Sequence, residues 1–489
     1  MEINMCANLK MKFEIINMKK LGISLLLFVC IVTSGFAIEK NPSWTKEVGA
    51  KQEPTGKSVV SANSLGAIGD SITLNSKAIQ AAIDACAAKG GGVVTFKPGR
   101  YLSGSIFLKK GVQFRLDAGV TILGSQNIAD YPIIRTRIAG IEMNWPAALV
   151  NVIDQENVAI SGKGTIDGQG KFFWDLYWSM RKTYDPKGLR WIVDYDCQRP
   201  RTLLVQNSKN VTIENIQLQR AGFWTVQLLY SENCTVNGVT VRNNIGGHGP
   251  STDGIDIDSS KRILVENCDI DCNDDNICLK AGRDADGQRV NRSTEYVVVH
   301  DCVSARGGGL VVFGSETAGS IRHVVAYNLK TSGTSAAVRF KSAVNRGGTV
   351  EDVIVYNVTV SKAKQALVVS LNWNPAYSYS KLPTEYEGKT LPEHWTKMLE
   401  VVPLEKGLPT FRDIHISDVV VTDTPEGINA IGMEKSMLNN FSLDNCVFNV
   451  EKAGEINYGK NWTLKNVLFN TPDKSGLKIT NDVNVKVIK

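Results

Sequence analysis

The chain has 489 residues, 43% of them hydrophobic and 21% charged, with a formal net charge of +6. This is an ordinary globular composition, and the chain is long enough to bury a large core. The charge is modest, and there is no long basic run and no aromatic-plus-basic motif, so the sequence argues against nucleic-acid binding.

Residues 1–37 have the pattern of a secretory signal peptide. Two lysines precede an apolar run from Leu21 to Val32, and small residues suit cleavage after Ala37. Met18 is the expected start of translation, and the run is short for a membrane span. We therefore expect a mature chain of residues 38–489 with no membrane span, in a secreted or periplasmic location. The alternative is an uncleaved anchor.

The first predicted elements form an N-terminal cap. Residues 78–88 carry apolar positions at helical spacing, Asn75 is a candidate N-cap, and three glycines at 90–92 would end the helix. Short β segments follow at 93–96, 105–108, 112–116 and 120–123.

From about residue 150 a pattern recurs: a short run of alternating apolar residues, an Asn or Asp corner, and another β run. Copies begin at 157, 210, 233, 262, 296, 323, 352, 413 and 440. Each unit is too short to bury a face alone, so the units must stack. Two or three strands per unit without helices indicate a parallel β-helix, because a propeller needs longer four-stranded units. Asn suits corners that visit left-handed backbone.

Two segments interrupt this period, residues 170–200 and 372–411. Both are rich in aromatic residues, which are Phe172, Phe173, Trp174, Trp178 and Trp191 in the first, and Trp373, Tyr377, Tyr379, Tyr386 and Trp395 in the second. We interpret both as long loops that line a groove. Their rings would either stack against sugars or pack the loops onto the barrel.

Ten cysteines are present, eight of them beyond the leader region. Cys268, Cys272 and Cys278 lie close together in sequence, but there is no CxxC spacing and no histidine cluster, so a metal site is not indicated. We expect small apolar core residues. A disulfide within this group is the alternative for an exported protein.

The chemistry is carried by three carboxylates and two cations. Asp253 lies in STDGIDIDSS, and Asp274 and Asp275 follow after 21 and 22 positions, which is close to one coil. Stacked coils would bring the three together, and crowded carboxylates cannot all ionise freely, so one becomes an acid. Paired carboxylates are what glycosidic hydrolysis needs. Arg339 and Lys341, further along the repeats, suggest an acidic sugar.

At this point the chain resembles glycoside hydrolase family 28, the polygalacturonases. The family motifs Asn-Thr-Asp, Asp-Asp and Arg-Ile-Lys match residues 251–253, 274–275 and 339–341. The stretches 78–109, 164–170 and 222–241 also look like this family, so the resemblance covers almost the whole mature chain. It implies an all-β, single-domain, right-handed parallel β-helix with an N-terminal capping helix and long groove-lining loops.

The resemblance also implies roles for these residues. Asp274 would be the general acid of an inverting hydrolase, and Asp253 and Asp275 would activate water. Inversion calls for carboxyl groups about 6.5–9.5 Å apart. Arg339 and Lys341 would hold the galacturonate carboxylate. No metal or other cofactor is expected.

The chain departs from the family pattern at two positions. Ser251 stands for the motif's Asn, and Gly308 stands where the Gly-His-Gly motif has its histidine. His248 could supply an imidazole from another direction, although a surface turn is its simpler interpretation. Arg306 could contribute a positive charge.

The insertion at 281–292 brings three further arginines after the Asp-Asp pair. On the family interpretation this loop overhangs the site, and Arg283 would contact uronate carboxylates. The alternative is a solvated charged loop. With the missing histidine, the insertion resembles exo-acting or rhamnogalacturonan-directed members.

The sequence therefore predicts a secreted pectin hydrolase that cleaves an α-galacturonosyl linkage. We expect a monomer whose partner is an acidic plant cell-wall polysaccharide or its oligosaccharides. Three alternatives stay open: a rhamnogalacturonan hydrolase of the same family, a non-catalytic pectin-binding β-helix, and a Ca²⁺-dependent pectate lyase.

Overall fold

The computed structural model describes residues 40–488, which belong to one compact unit. Almost all strands join one 33-stranded sheet in which each coil pairs in parallel with the next. Along one row the register runs from Val226 to Ile255, Ile277, Val311 and Val338, one residue per coil. The prediction of an all-β parallel β-helix is confirmed. The predicted signal peptide, residues 1–37, lies outside the described residues and stays a prediction.

The strands form three rows that run along the helix axis. The first row contains Ile106–Phe107, Val150–Ile153, Leu203–Gln206, Val226–Leu229, Ile255–Asp258, Ile277–Lys280, Val311–Phe313, Ala336–Lys341 and Gln365–Ser370. The second contains Ser58–Ser61, Gly92–Thr95, Val112–Leu116, Glu156–Gly162, Lys209–Glu214, Glu232–Asn237, Lys261–Glu266, Thr294–His300, Ile321–Ser332, Thr349–Ser361, Thr410–Ile431, Leu438–Asn457, Thr463–Asn470 and Lys486–Ile488. The third contains Asp70–Leu74, Gly99–Ser103, Val120–Gly124, Thr165–Asp167, Gln217–Gln219, Thr240–Arg242, Asp269–Asp271 and Val303–Ser304.

Two short strands near the C-terminal end, Gly459–Lys460 and Lys478–Thr480, each pair in parallel with Leu438–Asn457. A hairpin of Ile133–Ile138 and Ile141–Pro146 forms a separate antiparallel sheet. The α-helices are Ser76–Ala88, Lys171–Tyr184, Val193–Asp196, Asp284–Val290, Pro375–Ser378, Glu393–Leu399 and Leu404–Gly407. Short 3₁₀ helices occur at Ser43–Glu47, Ala62–Leu65, Ile128–Asp130, Asp185–Lys187 and Thr384–Tyr386. None of the helices in residues 40–488 is long and apolar enough to cross a membrane.

Alternation along each strand separates the core from the functional face. In the first row, Leu279, Phe313 and Phe340 point inward in successive coils, and the two phenylalanine rings stack with centroids 4.4 Å apart. The residues that alternate with these along each strand point outward. Asp258 and Lys280 are register partners on adjacent coils, so one outward row collects charged side chains. This row forms the floor of the site described below.

Corner residues adopt the left-handed conformation that the asparagine pattern predicts. Asn157 and Asn210 have φ of 56° and 51°, and the Asn210 side-chain amide donates to Asn157 Oδ1 at 3.1 Å. Arg262, Tyr296 and His323 have φ of 56°, 57° and 55° at the same corner of later coils. The coil geometry therefore imposes this conformation even where the side chain does not favour it.

The predicted capping helix is present, at Ser76–Ala88, with Ile79 and Ile83 buried in the core. Asn75 precedes it, but its side chain does not cap the helix. It is buried and instead bonds the backbone of Ile68, Thr73 and Leu102. Asn75 therefore occupies the predicted N-cap position, and its carbonyl accepts from the Ile79 amide at 2.9 Å, but its side chain is engaged by these turns and does not cap the helix.

The two insertions predicted as loops contain helices and pack against each other. Trp191 and Trp395 lie with ring centroids 5.4 Å apart, and Trp191 Nε1 donates to the Lys381 carbonyl at 3.1 Å. These residues form a second apolar core with the hairpin, separate from the core of the coils. We call the joined insertions, residues 170–200 and 372–411, the wall. Most of their aromatics pack the wall, so the sugar-stacking interpretation fails for them.

The eight cysteines among residues 40–488 are all free and buried. Six of them belong to the apolar core of the coils, namely Cys86, Cys234, Cys268, Cys272, Cys302 and Cys446. The prediction of small core residues is confirmed for these six.

Candidate active site

The three predicted aspartates meet at the turns before two adjacent strands of the first row. Ile255 pairs with Ile277, so the turn carrying Asp253 lies beside the turn carrying Asp274 and Asp275. One carboxylate oxygen from each aspartate lies within 4.8 Å of the others. They line a pocket of about 60 Å³, and the predicted clustering is confirmed.

Two buried ammonium groups neutralise part of this carboxylate cluster. Lys341 Nζ lies 2.6 Å from Asp275 Oδ2, and Lys280 Nζ lies 3.4 Å from Asp253 Oδ2. Each ammonium also faces a tryptophan ring, at 4.3 Å for Trp373 and 4.9 Å for Trp224. Lys280 was missed in the sequence analysis. The register that places it outward and opposite Asp258 of the preceding coil would have identified it.

The three carboxyl groups differ in their pKa values. Burial would raise the pKa of Asp275, but Lys341, Lys280 and Arg339 together lower it below the ordinary value. Burial and the neighbouring Asp275 raise the pKa of Asp274. Burial and Asp274 raise the pKa of Asp253 well above its ordinary value. Asp275 is therefore the ionised member of the cluster, and the other two compete to hold a proton.

The closest approach of the three carboxylates does not test the separation predicted for inversion. One oxygen of each group lies within 4.8 Å of the others, whereas the expected separation of about 6.5–9.5 Å refers to the carboxyl groups as wholes. The two buried lysines reduce the repulsion between these crowded carboxylates. Inversion therefore stays a prediction.

Clusters of this kind can also hold a cation. Two groups have suitable spacing, Asp253 with Asp274 and Asp275, and Asp253 with Asp256 and Cys278. Lys280 Nζ already lies 3.6 Å from Asp256 Oδ1 and 3.4 Å from Asp253, so an ammonium compensates charge at both groups. The absence of a metal requirement stays a prediction.

Gly308, at the position of the family histidine, lies directly against Asp275. A Cβ at residue 308 would lie 2.4 Å from Asp275 Oδ1. The Gly308 amide donates to the Asp274 carbonyl at 2.7 Å. The aspartate carboxylate thus occupies the space into which a side chain at 308 would extend.

Ser251, the other departure from the motif, holds a residue of the wall. Its Oγ donates to Asp194 Oδ1 at 2.8 Å. Arg190 and Arg199 pair with the same carboxylate at 2.6 and 3.1 Å. Burial would raise the pKa of Asp194, but the two arginines and Ser251 lower it to about 2. The shorter side chain therefore joins the floor to the wall.

Arg339 and Lys341 differ in their availability to substrate. Lys341 is 5% exposed and is already paired with Asp275. Arg339 is half-buried, and its buried Nε has no hydrogen-bond partner among residues 40–488. Arg339 is therefore the more exposed of the two, whereas Lys341 already neutralises Asp275.

Arg283 was expected to contact substrate, and this prediction was wrong. Its insertion folds as the helix Asp284–Val290 rather than as a loop. The guanidinium of Arg283 is fully buried behind the pocket, where it donates to Tyr195 Oη at 2.8 Å and to the Tyr377 carbonyl at 2.7 Å. It supports two tyrosines of the wall.

Arg306 and His248 lie outside the pocket lining. The Arg306 side chain is 60% exposed and pairs with Asp271, with Nε 2.8 Å from Oδ1. His248 is exposed and stacks on Trp178 with centroids 5.6 Å apart. Its Nε2 reaches Asn273 Nδ2 at 3.5 Å. Neither contacts the three aspartates, so His248 has the surface position that was its simpler interpretation.

Two further residues line the pocket, of which Glu316 was missed in the sequence, whereas Tyr377 was named among the groove-lining aromatics. Glu316 Oε2 lies 3.3 Å from Lys280 Nζ. Burial would raise the pKa of Glu316, but Lys280, Arg346, Lys341 and Arg283 lower it to about 2. Tyr377, buried in the wall, places its hydroxyl 3.5 Å from Glu316 Oε1.

A parallel β-helix that holds clustered aspartates in a pocket is the arrangement of a glycosidase. Comparison with known proteins agrees, since the family model for glycosyl hydrolases family 28 matches residues 98–385, more than half of the chain. The chain belongs to this family.

Two curated relatives are similar to the chain. A probable polygalacturonase from Vitis vinifera is 27% identical over 81% of this chain and 86% of its own length. An exo-poly-alpha-D-galacturonosidase from Dickeya chrysanthemi is 28% identical over 67% of this chain and 60% of its own length. The crystal structure of an exopolygalacturonase from Thermotoga maritima aligns with a TM-score of 0.72 at 24% identity, covering 87% of this chain and 95% of that one. This last likeness shows the fold.

Proposed function

We propose that the chain is a pectin-degrading hydrolase that releases terminal galacturonate from an acidic cell-wall polysaccharide. The observation that carries this proposal is the aspartate cluster, with one ionised carboxyl and two carboxyls of raised pKa, in a pocket bounded by the wall. The curated relatives named above as polygalacturonases support the substrate class.

The pocket residues divide the chemistry between them. Asp274 is the least buried of the three aspartates and has a raised pKa, so it protonates the glycosidic oxygen as the bond to the anomeric carbon breaks. Asp275, which is ionised, takes a proton from the attacking water, whose oxygen bonds to the anomeric carbon. Asp253 orients that water. Lys280 and Lys341 stabilise the extra negative charge of the cluster.

The position of the wall supports the proposal that galacturonate is released from a chain end. Arg190 and Asp194 from the first insertion and Trp373 and Tyr377 from the second all line the pocket. Because the two insertions share an apolar core, they bound one side of the pocket together. A polymer that enters such a pocket presents its terminal residue.

Product analysis tests this function. Wild type, Asp274→Asn and the control Asp271→Asn would be incubated with polygalacturonate and with rhamnogalacturonan, with and without chelator, and the products resolved. Because general acid catalysis contributes about 10²–10⁴-fold, kcat should fall by that factor in Asp274→Asn and stay near wild type in Asp271→Asn. Asp271 lies three positions away but pairs with Arg306 outside the pocket.

Each alternative predicts a different outcome of this experiment. Saturated monogalacturonate that is insensitive to chelator supports the proposal, whereas an unsaturated product that needs Ca²⁺ indicates a lyase. Product from rhamnogalacturonan alone would identify rhamnogalacturonan as the substrate. Binding without turnover of either polymer would make the chain a binding protein. The anomer formed first, followed by NMR, reports inversion or retention.

We also propose export of residues 38–489 as a monomer. The apolar run from Leu21 to Val32 before a small-residue cleavage site supports export. Sequencing the mature N-terminus would test cleavage after Ala37, and sedimentation analysis would test the monomer.

A further inference from the structure

Arg190 is the pocket cation with donors still available. It lies between the wall helices Lys171–Tyr184 and Val193–Asp196, lines the pocket, and has a side chain that is 22% exposed. Its Nη1 donates to Asp194 Oδ2 at 2.6 Å. Within residues 40–488, its Nε and Nη2 make no hydrogen bond to another residue, so these nitrogens can serve a ligand.

The other pocket cations are committed to protein carboxylates. Lys341 and Lys280 are each 5% exposed, and Lys280 is shared among Asp253, Asp256 and Glu316 at 3.3–3.6 Å. Both ammonium groups are less exposed than Arg190, and each already neutralises carboxylates of the cluster. Arg190 is therefore the pocket cation that an incoming carboxylate reaches most readily.

Arg190 is also held in position before any ligand arrives. Asp194 anchors it from one side, and this carboxylate is itself fixed by Arg199 at 3.1 Å and by Ser251 at 2.8 Å. The Tyr377 ring lies 4.9 Å from the guanidinium carbon. A fork held in this way loses little conformational freedom when it binds a planar carboxylate.

Arg190 and Arg339 belong to different parts of the molecule. Arg190 belongs to the wall and lines the pocket, whereas Arg339 lies on the strand Ala336–Lys341 and outside the pocket lining. Of these two arginines, Arg190 is therefore the one available to a carboxylate inside the pocket.

We propose that Arg190 binds the carboxylate of the terminal uronate in the pocket and so determines specificity for an acidic chain end. The inference rests on the proposed function. The uronate whose anomeric carbon is attacked occupies the pocket, since the aspartates line it, and the carboxylate of the next residue meets Arg339.

The test uses digalacturonate in three forms: unesterified, methyl-esterified on the non-reducing residue, and methyl-esterified on the reducing residue. The enzymes are wild type, Arg190→Gln, Arg190→Lys and the control Lys187→Gln. Lys187 is exposed on the same insertion and pairs with Glu385 at 3.5 Å, outside the pocket lining. It controls for loss of a charge from the wall. Thermal unfolding of each variant reports folding.

Wild type should prefer the unesterified dimer to the non-reducing ester by about tenfold or more in kcat/KM, since a charge-assisted hydrogen bond is lost. Arg190→Gln should show a raised KM and no preference between these two substrates, while it still discriminates against the reducing ester. Arg190→Lys should recover part of the preference, and Lys187→Gln should behave as wild type.

Retention of the full preference by a folded Arg190→Gln would overturn the inference and leave the proposed function intact. Equal loss of discrimination against both esters would also overturn it, because Arg190 would then act only through the overall charge of the pocket. If wild type hydrolyses no galacturonate substrate, the proposed function fails first and the inference fails with it.

Discussion

The floor and the wall of the pocket are built in different ways. The floor consists of the turns at Asp253 and Asp274–Asp275 with the outward side chains of the first row, so its residues are spaced by the coil. The wall consists of two insertions, 170–200 and 372–411, that share a core of their own. In the proposed function, the floor supplies charges for the bond-breaking step, and the wall bounds the space beside it. Changes in the floor should therefore alter kcat, and changes in the wall should alter KM and the products.

The largest expected effect is in the floor, at Lys280. Lys280→Gln leaves Asp253, Asp256 and Glu316 without their shared ammonium, and removing one member of a buried charge group costs about 3–5 kcal/mol in the free energy of unfolding. Urea unfolding of both proteins measures this. The control Lys261→Gln removes an exposed lysine that lies 3.7 Å from Glu232, and should stay within about 0.5 kcal/mol of wild type.

The pH dependence of stability provides a second measurement on Lys280→Gln. The pKa of Glu316 is lowered from 4.5 to about 2, so its ionised form stabilises the fold above pH 4.5, and this stabilisation is lost as the pH falls toward 2. Without Lys280, a main cause of the lowered pKa, the loss between pH 4.5 and 2 should be shallower. An unchanged slope of stability against pH would mean that the other cations alone lower the pKa of Glu316.

In the wall, Trp395→Ala should affect the wall while leaving the floor intact. Trp395 is buried between the insertions, and truncation of a buried Trp costs about 3–5 kcal/mol at the site. We expect faster proteolysis within 372–411, a higher KM and longer oligosaccharide products, with the unfolding midpoint of the coils little changed. A fall in kcat with KM unchanged would contradict the division between floor and wall.

A smaller effect is expected at Gly308, again in the floor. Gly308→Ala places a Cβ 2.4 Å from Asp275 Oδ1, so the carboxylate must move, and kcat should fall by about 10–100-fold because displacements near 1 Å cost that much. KM should change little. Gly476→Ala, where an added Cβ meets nothing within 4 Å, is the matched control. Wild-type kcat in Gly308→Ala would show that Asp275 tolerates displacement.

The smallest effect is expected outside both regions, at Arg306. Its ion pair with Asp271 is exposed, so Arg306→Gln should change stability by less than about 0.5 kcal/mol. Because the side chain lies outside the pocket lining, kcat and KM should stay near their wild-type values. A tenfold rise in KM would indicate that a longer substrate reaches this rim.

The sequence predicted the floor better than the wall for a physical reason. Residues one coil apart become neighbours, so the spacing of Asp253 and Asp274 was enough to predict their cluster. Lys280 was missed because its position opposite Asp258 depends on the strand register. Asp275 and Gly308 could be aligned with motifs, but their close contact could not be read from the sequence.

In the wall, by contrast, no repeat relates one residue to another. Sequence showed that residues 170–200 and 372–411 are aromatic, yet not that Trp191 and Trp395 would face each other. Arg283 was predicted to contact substrate, with a solvated loop as the alternative, because it lies in a polar stretch after the Asp-Asp pair. Only the folded chain shows it buried against Tyr195 and Tyr377.

The separate core of the wall has an evolutionary consequence. Its two insertions leave the coils between Thr165–Asp167 and Leu203–Gln206, and between Gln365–Ser370 and Thr410–Ile431, so they interrupt connections and not strands. A lineage could lengthen, shorten or transplant these insertions as a unit without re-registering a single coil. Such exchange would convert an enzyme that trims polymer ends into one that cuts mid-chain while the inherited aspartates stayed untouched.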